Sequence, residues 1–225
     1  VAQDRELAYT LGEYKMKKLA LAAAIGLISA SAFAAQGDII ARFRVINVNP
    51  SSSWSNGAVG TSQGVTGVDA NDDTVPELDF TYMITNNIGA ELILGTSRHS
   101  VTAHAGSTDV NLGKVSALPP TVTLQYHFSP DSTVFRPYVG AGINYTRFYN
   151  NGLQLGTTDL TVKKNSYGPA LQIGADFPIS KNFFVNVDVK KIWMKTDVTV
   201  QSTGASVGTL KIDPLVVGLG IGTKF

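Results

Sequence analysis

With no cysteine in the chain, there is no thiol nucleophile, no cysteine metal site and no disulfide. Chemistry must therefore rest on carboxylates, basic side chains and three histidines. Asp69, Asp72 and Asp73 cluster, but Val68-Asp69-Ala70-Asn71-Asp72-Asp73 lacks the glycine and terminal glutamate of a calcium loop, so it reads as a solvated acidic loop. Gly60, Gly64 and Gly67 have no following lysine at phosphate-loop spacing, so no cofactor is inferred. His99 and His104 fall in or beside a long polar stretch, and His127 stands apart from both. The adjacency of His99 and Ser100 means little, because neighbours on a strand face opposite sides. A lipid hydrolase or acyltransferase would need a nucleophile and a base held together, and no such pair is assigned. What does recur is a spaced set of charges: Arg42, Arg44, Glu77, Asp79, Glu91, Arg136, Asp176, Asp188 and Lys190. Carboxylates in that number could serve acid catalysis. Interleaved with arginine and lysine, they are expected to pair with one another and form a plug. No catalytic residue and no metal ligand is assigned.

Strands must position these charges. Alternating polarity marks eight segments, at 38–49, 74–85, 88–98, 118–128, 134–149, 166–179, 182–200 and 209–225. The last is the clearest: Leu215, Val217, Leu219, Ile221, Thr223 and Phe225 share one face, while Val216, Gly218, Gly220, Gly222 and Lys224 share the other. Small residues facing inward suit a narrow barrel whose lumen holds side chains from other strands. Across the segments the outward series are apolar and uncharged, as in Ile39, Ala41, Phe43 and Val45 or Leu78, Phe80, Tyr82 and Ile84. The charged set falls entirely on the inward series. Connections at 85–87, 129–133 and 180–181 are short, whereas those at 50–73, 99–117, 150–165 and 201–208 are long and polar, matching periplasmic turns and extracellular loops. The expected fold is all-β, an eight-stranded antiparallel transmembrane β-barrel over residues 35–225.

A barrel in the outer membrane must first be exported. Met16-Lys17-Lys18, the apolar run 19–28 and Ser29-Ala30-Ser31-Ala32-Phe33-Ala34 make a basic, apolar and small-x-small series, so residues 1–34 are read as an upstream extension plus a signal peptide cleaved after Ala34. Of 18 basic and 17 acidic residues, Arg5, Lys15, Lys17 and Lys18 against Asp4, Glu6 and Glu13 lie in that segment, which leaves 14 of each. A neutral remainder offers no clustered positive charge for nucleic acid.

Depth along the strands separates two kinds of inward residue. Nearer the outer end lie Ile46, Val48, Phe148, Ile192, Met194, Ile212, Pro214 and Val216, mostly apolar, with the charged layers below them. An apolar upper cup suits a pocket for small hydrophobic molecules, unless the long loops fold inward and fill it. The first alternative is a passive transporter or binder; the second is a structural or surface-interaction barrel without transport. Prolines within the segments remove ladder donors. Pro169 and Pro214 lie in the upper halves, where a loosened ladder could let a ligand leave sideways into the bilayer.

Gly37-Asp38-Ile39-Ile40-Ala41-Arg42, Thr81-Tyr82-Met83-Ile84-Thr85-Asn86-Asn87, Phe135-Arg136-Pro137-Tyr138-Val139-Gly140 and Asp213-Pro214-Leu215-Val216-Val217-Gly218 together resemble the outer membrane protein W family, over essentially the whole of residues 35–225. The resemblance implies an eight-stranded outer-membrane barrel with a narrow hydrophobic channel for small apolar compounds. It also implies that the series ending in Phe225 is the terminal signature read by the barrel-insertion machinery. Outer-membrane lipid and small hydrophobic molecules are the implied partners, and the loops match nothing that would name a ligand.

Overall fold

The computed structural model describes residues 35–225, so the extension and signal peptide assigned to 1–34 lie outside the described residues. In chain order the elements are β1 (Ile39–Asn49), β2 (Ser53–Asn56), α1 (Ala58–Ser62), β3 (Val65–Ala70), β4 (Asp73–Met83), β5 (Ile88–Gly95), β6 (Ser97–Ala105) and β7 (Thr108–Leu118). They continue as β8 (Thr121–His127), β9 (Arg136–Leu155), β10 (Thr158–Val162), β11 (Asn165–Pro178), β12 (Phe183–Ile192), β13 (Lys195–Val200), β14 (Ser206–Lys211) and β15 (Leu215–Lys224).

Eight of these close a barrel in the order β1-β4-β5-β8-β9-β11-β12-β15, with β15 returning to pair with β1. Every pairing is antiparallel, and closure leaves no open edge in the lipid-facing wall. The faces follow the alternation. Phe43, Val45, Leu78, Phe80, Val122, Leu124, Leu219 and Ile221 stand outward and exposed, while Arg42, Arg44, Glu77, Asp79 and Gln125 stand inward and buried. A belt of exposed aliphatic and aromatic side chains of this extent is stable only against hydrocarbon, since burying each such side chain contributes about 1.5–3 kcal/mol.

The long connections do not stay irregular, as their polar composition suggests they should. They form a crown in which strands run β3-β6-β7-β9-β10-β13-β14-β2, with β9 continuing from the barrel wall into the crown over 20 residues. Alternation in short pieces explains it: Val101 and Ala103, Leu112, Val115 and Ala117, Leu160 and Val162, and Val198 and Val200 all turn to a shared apolar interior. Glycine, serine and threonine occupy the outer face, so the composition of these strands reads as loop. The apolar side chains of this crown pack in one cluster with Ile46, Ile192, Met194 and Val216 of the upper lumen, so the long connections both raise the wall and fill part of the cup.

Three expected strands also break in two. Thr96 separates β5 from β6, its hydroxyl donating to the Ala117 carbonyl at 3.2 Å. Trp193 and Met194 separate β12 from β13, where the Met194 N–H leaves the ladder for the Asp213 carboxylate at 2.9 Å. Asp213 has φ 34, and Pro214 has no N–H to give, so β14 cannot run straight into β15.

Candidate functional site

The lumen is layered, and sequence neighbours set each layer. At the periplasmic end Ile40, Met83 and Phe184 form a small apolar floor. A Cβ at Gly222 would lie 2.2 Å from Phe184 Cζ, so this inward glycine makes room for the floor. Gly220 and Gly218 face Arg44 in the next layers, where a Cβ would come within 2.7 Å of Arg44 Cγ and 3.3 Å of its Cδ.

Above the floor sits a charge network with almost no exposure. On β1 and β4, Arg42 lies directly opposite Asp79 and Arg44 opposite Glu77. Arg42 donates to Asp176 from both Nε (3.1 Å) and Nη2 (2.8 Å), and its Nη1 reaches Asp79 at 3.1 Å. Arg44 pairs with Glu77 at 2.8 Å and with Asp79 at 2.6 Å. Lys190 Nζ joins Glu77 at 2.7 Å and Asp188 at 3.0 Å. Glu91 is held more loosely, 3.6 Å from Arg44 and 3.8 Å from Arg42, with a hydrogen bond from Thr123 at 2.9 Å. These pairs lie so far from water that each depends on its partner to offset desolvation.

Tyr138, absent from the sequence-derived set, sits among them fully buried. Its hydroxyl donates to Asp188 at 2.8 Å and accepts from Asn186 at 3.0 Å, and its ring lies 5.1 Å from the Arg42 guanidinium carbon. Strand parity with Gly140 and Asn144 was the available signal; the ring's reach across the lumen was not legible. Gly174 permits that reach, since a Cβ there would be 2.4 Å from the Tyr138 ring and hydroxyl. Arg136 stands at the lower edge of the network, directly opposite Asp176 across β9 and β11. It starts β9 at the lower rim, half-buried, with Nε donating to the Ser132 carbonyl of the short turn below it at 2.7 Å.

Over this plug the lumen becomes apolar. Ile46, Val48, Phe148, Ile192, Met194, Ile212, Pro214 and Val216 all line one chamber with a cavity volume of about 50 Å³, floored by Glu77 and Lys190. The crown encloses a second, with a cavity volume of about 40 Å³, whose walls include Val65, Val101, Leu112, Leu160, Val198 and Leu210. Sequence reasoning missed this chamber because most of its walls, among them Val65, Val101, Leu112 and Leu160, come from the stretches read as loops. His99, Ala117, Phe148 and Ile212 border both chambers, so the partition is one side chain thick. Both spaces are narrow and suit slender apolar molecules.

The histidines do not converge. His99 is buried at the partition with both nitrogens engaged, Nδ1 with the Asn71 carbonyl at 2.7 Å and Nε2 with the Ser97 hydroxyl at 2.8 Å. His127 lies in the lower lumen, 3.1 Å from the Gln125 amide oxygen. His104 stands on the crown between Asp109 (2.6 Å) and Asp69 (2.9 Å). The hydrogen bonds its ring gives to Asp109 and then to Asp69 raise its pKa. Asp69 is thus a strand residue with a partner, not part of a free acidic loop, because the β3–β6 register sets Asp69 beside the β6 end that carries His104.

Comparison with known proteins agrees with this architecture. The OmpW family model matches residues 35–225. An uncharacterised outer-membrane protein, y4mB, of Sinorhizobium fredii is 45% identical over 74% of this chain and 73% of its own. Outer membrane protein W of Escherichia coli is 37% identical over 93% of this chain and 100% of its own. The dibenzothiophene metabolism operon protein PahQ of Pseudomonas aeruginosa is 31% identical over 70% and 74%. Among solved structures, the crystal structure of OprG from Pseudomonas aeruginosa superposes with a TM-score of 0.74 at 28% identity, covering 86% of this chain and 98% of that one. A closed eight-stranded barrel with an apolar outer belt, matched along its whole described length, makes this chain a member of the OmpW family of outer-membrane proteins.

Proposed function

We propose that this barrel admits small hydrophobic molecules passively into its upper lumen. The observation that carries the reading is the pair of adjoining apolar chambers standing on a sealed charge network. OmpW-family members are non-enzymatic outer-membrane barrels, so passage without chemistry is the relevant class of activity. An apolar solute gains about 25 cal/mol per Å² of surface removed from water, which is enough to draw it from the medium into the crown. The name of PahQ, which places that relative in an operon for an apolar aromatic compound, agrees with this class of solute.

The plug denies such a molecule the axial route. Arg42, Arg44, Tyr138 and Lys190 fill the barrel's cross-section, and an uncharged apolar solute could not replace their ion pairs. The exit is therefore lateral. Met194 borders both the lower chamber and a groove on the outer wall, so one side chain separates lumen from bilayer there. Pro169 lines the same groove, and its missing N–H leaves the β11 ladder weaker at that height.

The second reading, a surface-interaction barrel without transport, is favoured by the crown itself, which projects a broad folded face above the membrane. Two measurements separate the readings. Cells lacking the protein should take up an apolar aromatic solute more slowly, with recovery by the native chain and not by Ile192→Gln, which puts an amide in the lower chamber. Planar-bilayer recordings of the native protein should show no steady ion conductance. Equal uptake in all three strains would leave the surface reading standing, and steady conductance would refute the sealed plug.

A further inference from the structure

The outer wall carries a second kind of site. Four outward columns on neighbouring strands change character at one height. On β12 and β13 the column runs Val187, Val189, Lys191, Trp193, Lys195; on β11 it passes from Leu171 through Pro169 to Tyr167. On β9 it rises from Ile143 through Tyr145 to Arg147, and beyond β15 it passes from Leu215 through Asp213 to Lys211. Aliphatic side chains give way to rings, with Tyr145 and Tyr167 stacked at 5.0 Å, and the rings give way to cations. Aromatic residues at this transition mark the depth of the lipid headgroups. A groove with about 500 Å³ of empty space opens there between Tyr167, Pro169, Trp193, Lys195 and Lys211.

Asp213 also lines this groove, yet its two cations Lys195 and Lys211 have no carboxylate ion-pair partner among the described residues. Lys195 and Lys211 are directly opposite each other across β13 and β14, an arrangement that like charges make unfavourable. Neither nearby carboxylate pairs directly with either lysine. Asp213 accepts the Met194 N–H at 2.9 Å, and Asp197 accepts the Thr209 hydroxyl at 2.8 Å while lying 3.9 Å from Lys163. Among the described residues no carboxylate pairs with the ammonium of Lys195 or Lys211. Lys191 Nζ is held by the Asp213 carbonyl at the groove's lower edge, and Arg147 stands one strand away with its side chain exposed.

We propose that this groove binds the phosphorylated headgroup of a lipid in the outward-facing leaflet. A phosphate seated between Lys195 and Lys211 would accept charge-assisted hydrogen bonds from both and remove their repulsion. The Tyr167 and Trp193 rings present an apolar flank to the lipid's shoulder, and the aliphatic belt below receives its chains. A free anion in the medium matches the two lysines but not the belt beneath them, so the lipid is the occupant. The site is on the outside of the wall and does not rest on the uptake reading.

The test uses the full barrel in nanodiscs of phosphatidylcholine, with diphosphorylated lipid A as probe and native mass spectrometry as readout. Lys195→Gln/Lys211→Gln should reduce retention of the probe about thirtyfold, in line with the loss of two basic residues at an anionic interface. Lys195→Arg/Lys211→Arg should retain it, and Lys181→Gln, on the opposite rim, should leave it unchanged. Heat-modifiable gel mobility establishes that each variant is folded. Equal retention by the native protein and the double glutamine variant would overturn the proposal. So would equal retention of a dephosphorylated probe, or displacement of the lipid by millimolar inorganic phosphate, which would make the site one for a free anion.

Discussion

Replacing Arg44 by methionine tests the plug at its most connected cation. The guanidinium contacts Glu77 at 2.8 Å and Asp79 at 2.6 Å, with Glu91 and Asp188 each at 3.6 Å. Loss of one member of a buried pair costs about 3–5 kcal/mol, because a charge is left without its partner. The geometry says which charge. Glu77 keeps Lys190 at 2.7 Å, and Asp188 keeps Lys190 at 3.0 Å and the Tyr138 hydroxyl at 2.8 Å. Asp79 keeps Arg42 on one oxygen only, at 3.1 Å, and its other oxygen loses the 2.6 Å contact. The penalty should therefore fall on Asp79, and Asp79→Asn in the Arg44→Met background should restore more than half of the lost stability. Glu77→Gln in the same background should restore little, since it also deprives Lys190 of its nearest carboxylate. Reversible urea unfolding in lipid vesicles, followed by fluorescence of Trp54 and Trp193, measures all four proteins. A cost below about 1 kcal/mol for Arg44→Met, the level of a solvent-screened pair, would refute the dry network. Rescue by Glu77→Gln equal to that by Asp79→Asn would refute the partner assignment.

Gly174→Ala should destabilise the barrel by about 1–3 kcal/mol in the same unfolding measurement, since its Cβ would meet Tyr138 at 2.4 Å. Combining it with Tyr138→Leu should cost less than the sum of the two changes, and strict additivity would show that the ring and the glycine do not meet. His104 gives the crown a pH dependence. Its pKa in the folded protein is raised above the ordinary 6.5 by Asp109 and Asp69, so the added stability is fully present below that value and fades as pH rises through the folded pKa. Hydrogen exchange in β3 and β6, corrected for intrinsic rates, should show more protection at low pH than at high pH, and His104→Gln should remove the difference. Persistence of the difference in that variant would assign it to another group.

Much of the barrel was legible because lipid imposes a rule on every residue it touches. Each position in the lipid-facing belt must be uncharged and mostly apolar, and each inward position must fit a narrow lumen, so alternation alone sorts Phe43 from Arg44 and Leu219 from Gly220. The same alternation placed all eight upper-lumen residues around one chamber. The crown obeys a weaker rule. Its outer face meets water, where serine, threonine and glycine are as acceptable in a strand as in a loop, so Val101, Leu112 and Leu160 looked like isolated apolar residues in polar stretches.

The sequence by itself determined which side of the wall each side chain takes, because that depends only on the two-residue period of a strand and on the solvent outside it. Which inward groups meet depended on closure of the tertiary structure. Arg42 and Asp176 are 134 positions apart yet in contact at 2.8 Å, and Tyr138 reaches Asp188 only because Gly174 leaves space for it. Arg136 shares their parity, but the turn at Ser132 holds it at the rim. Register, stagger and the reach of long side chains across a closed lumen are properties of all the strands together, and no single segment encodes them.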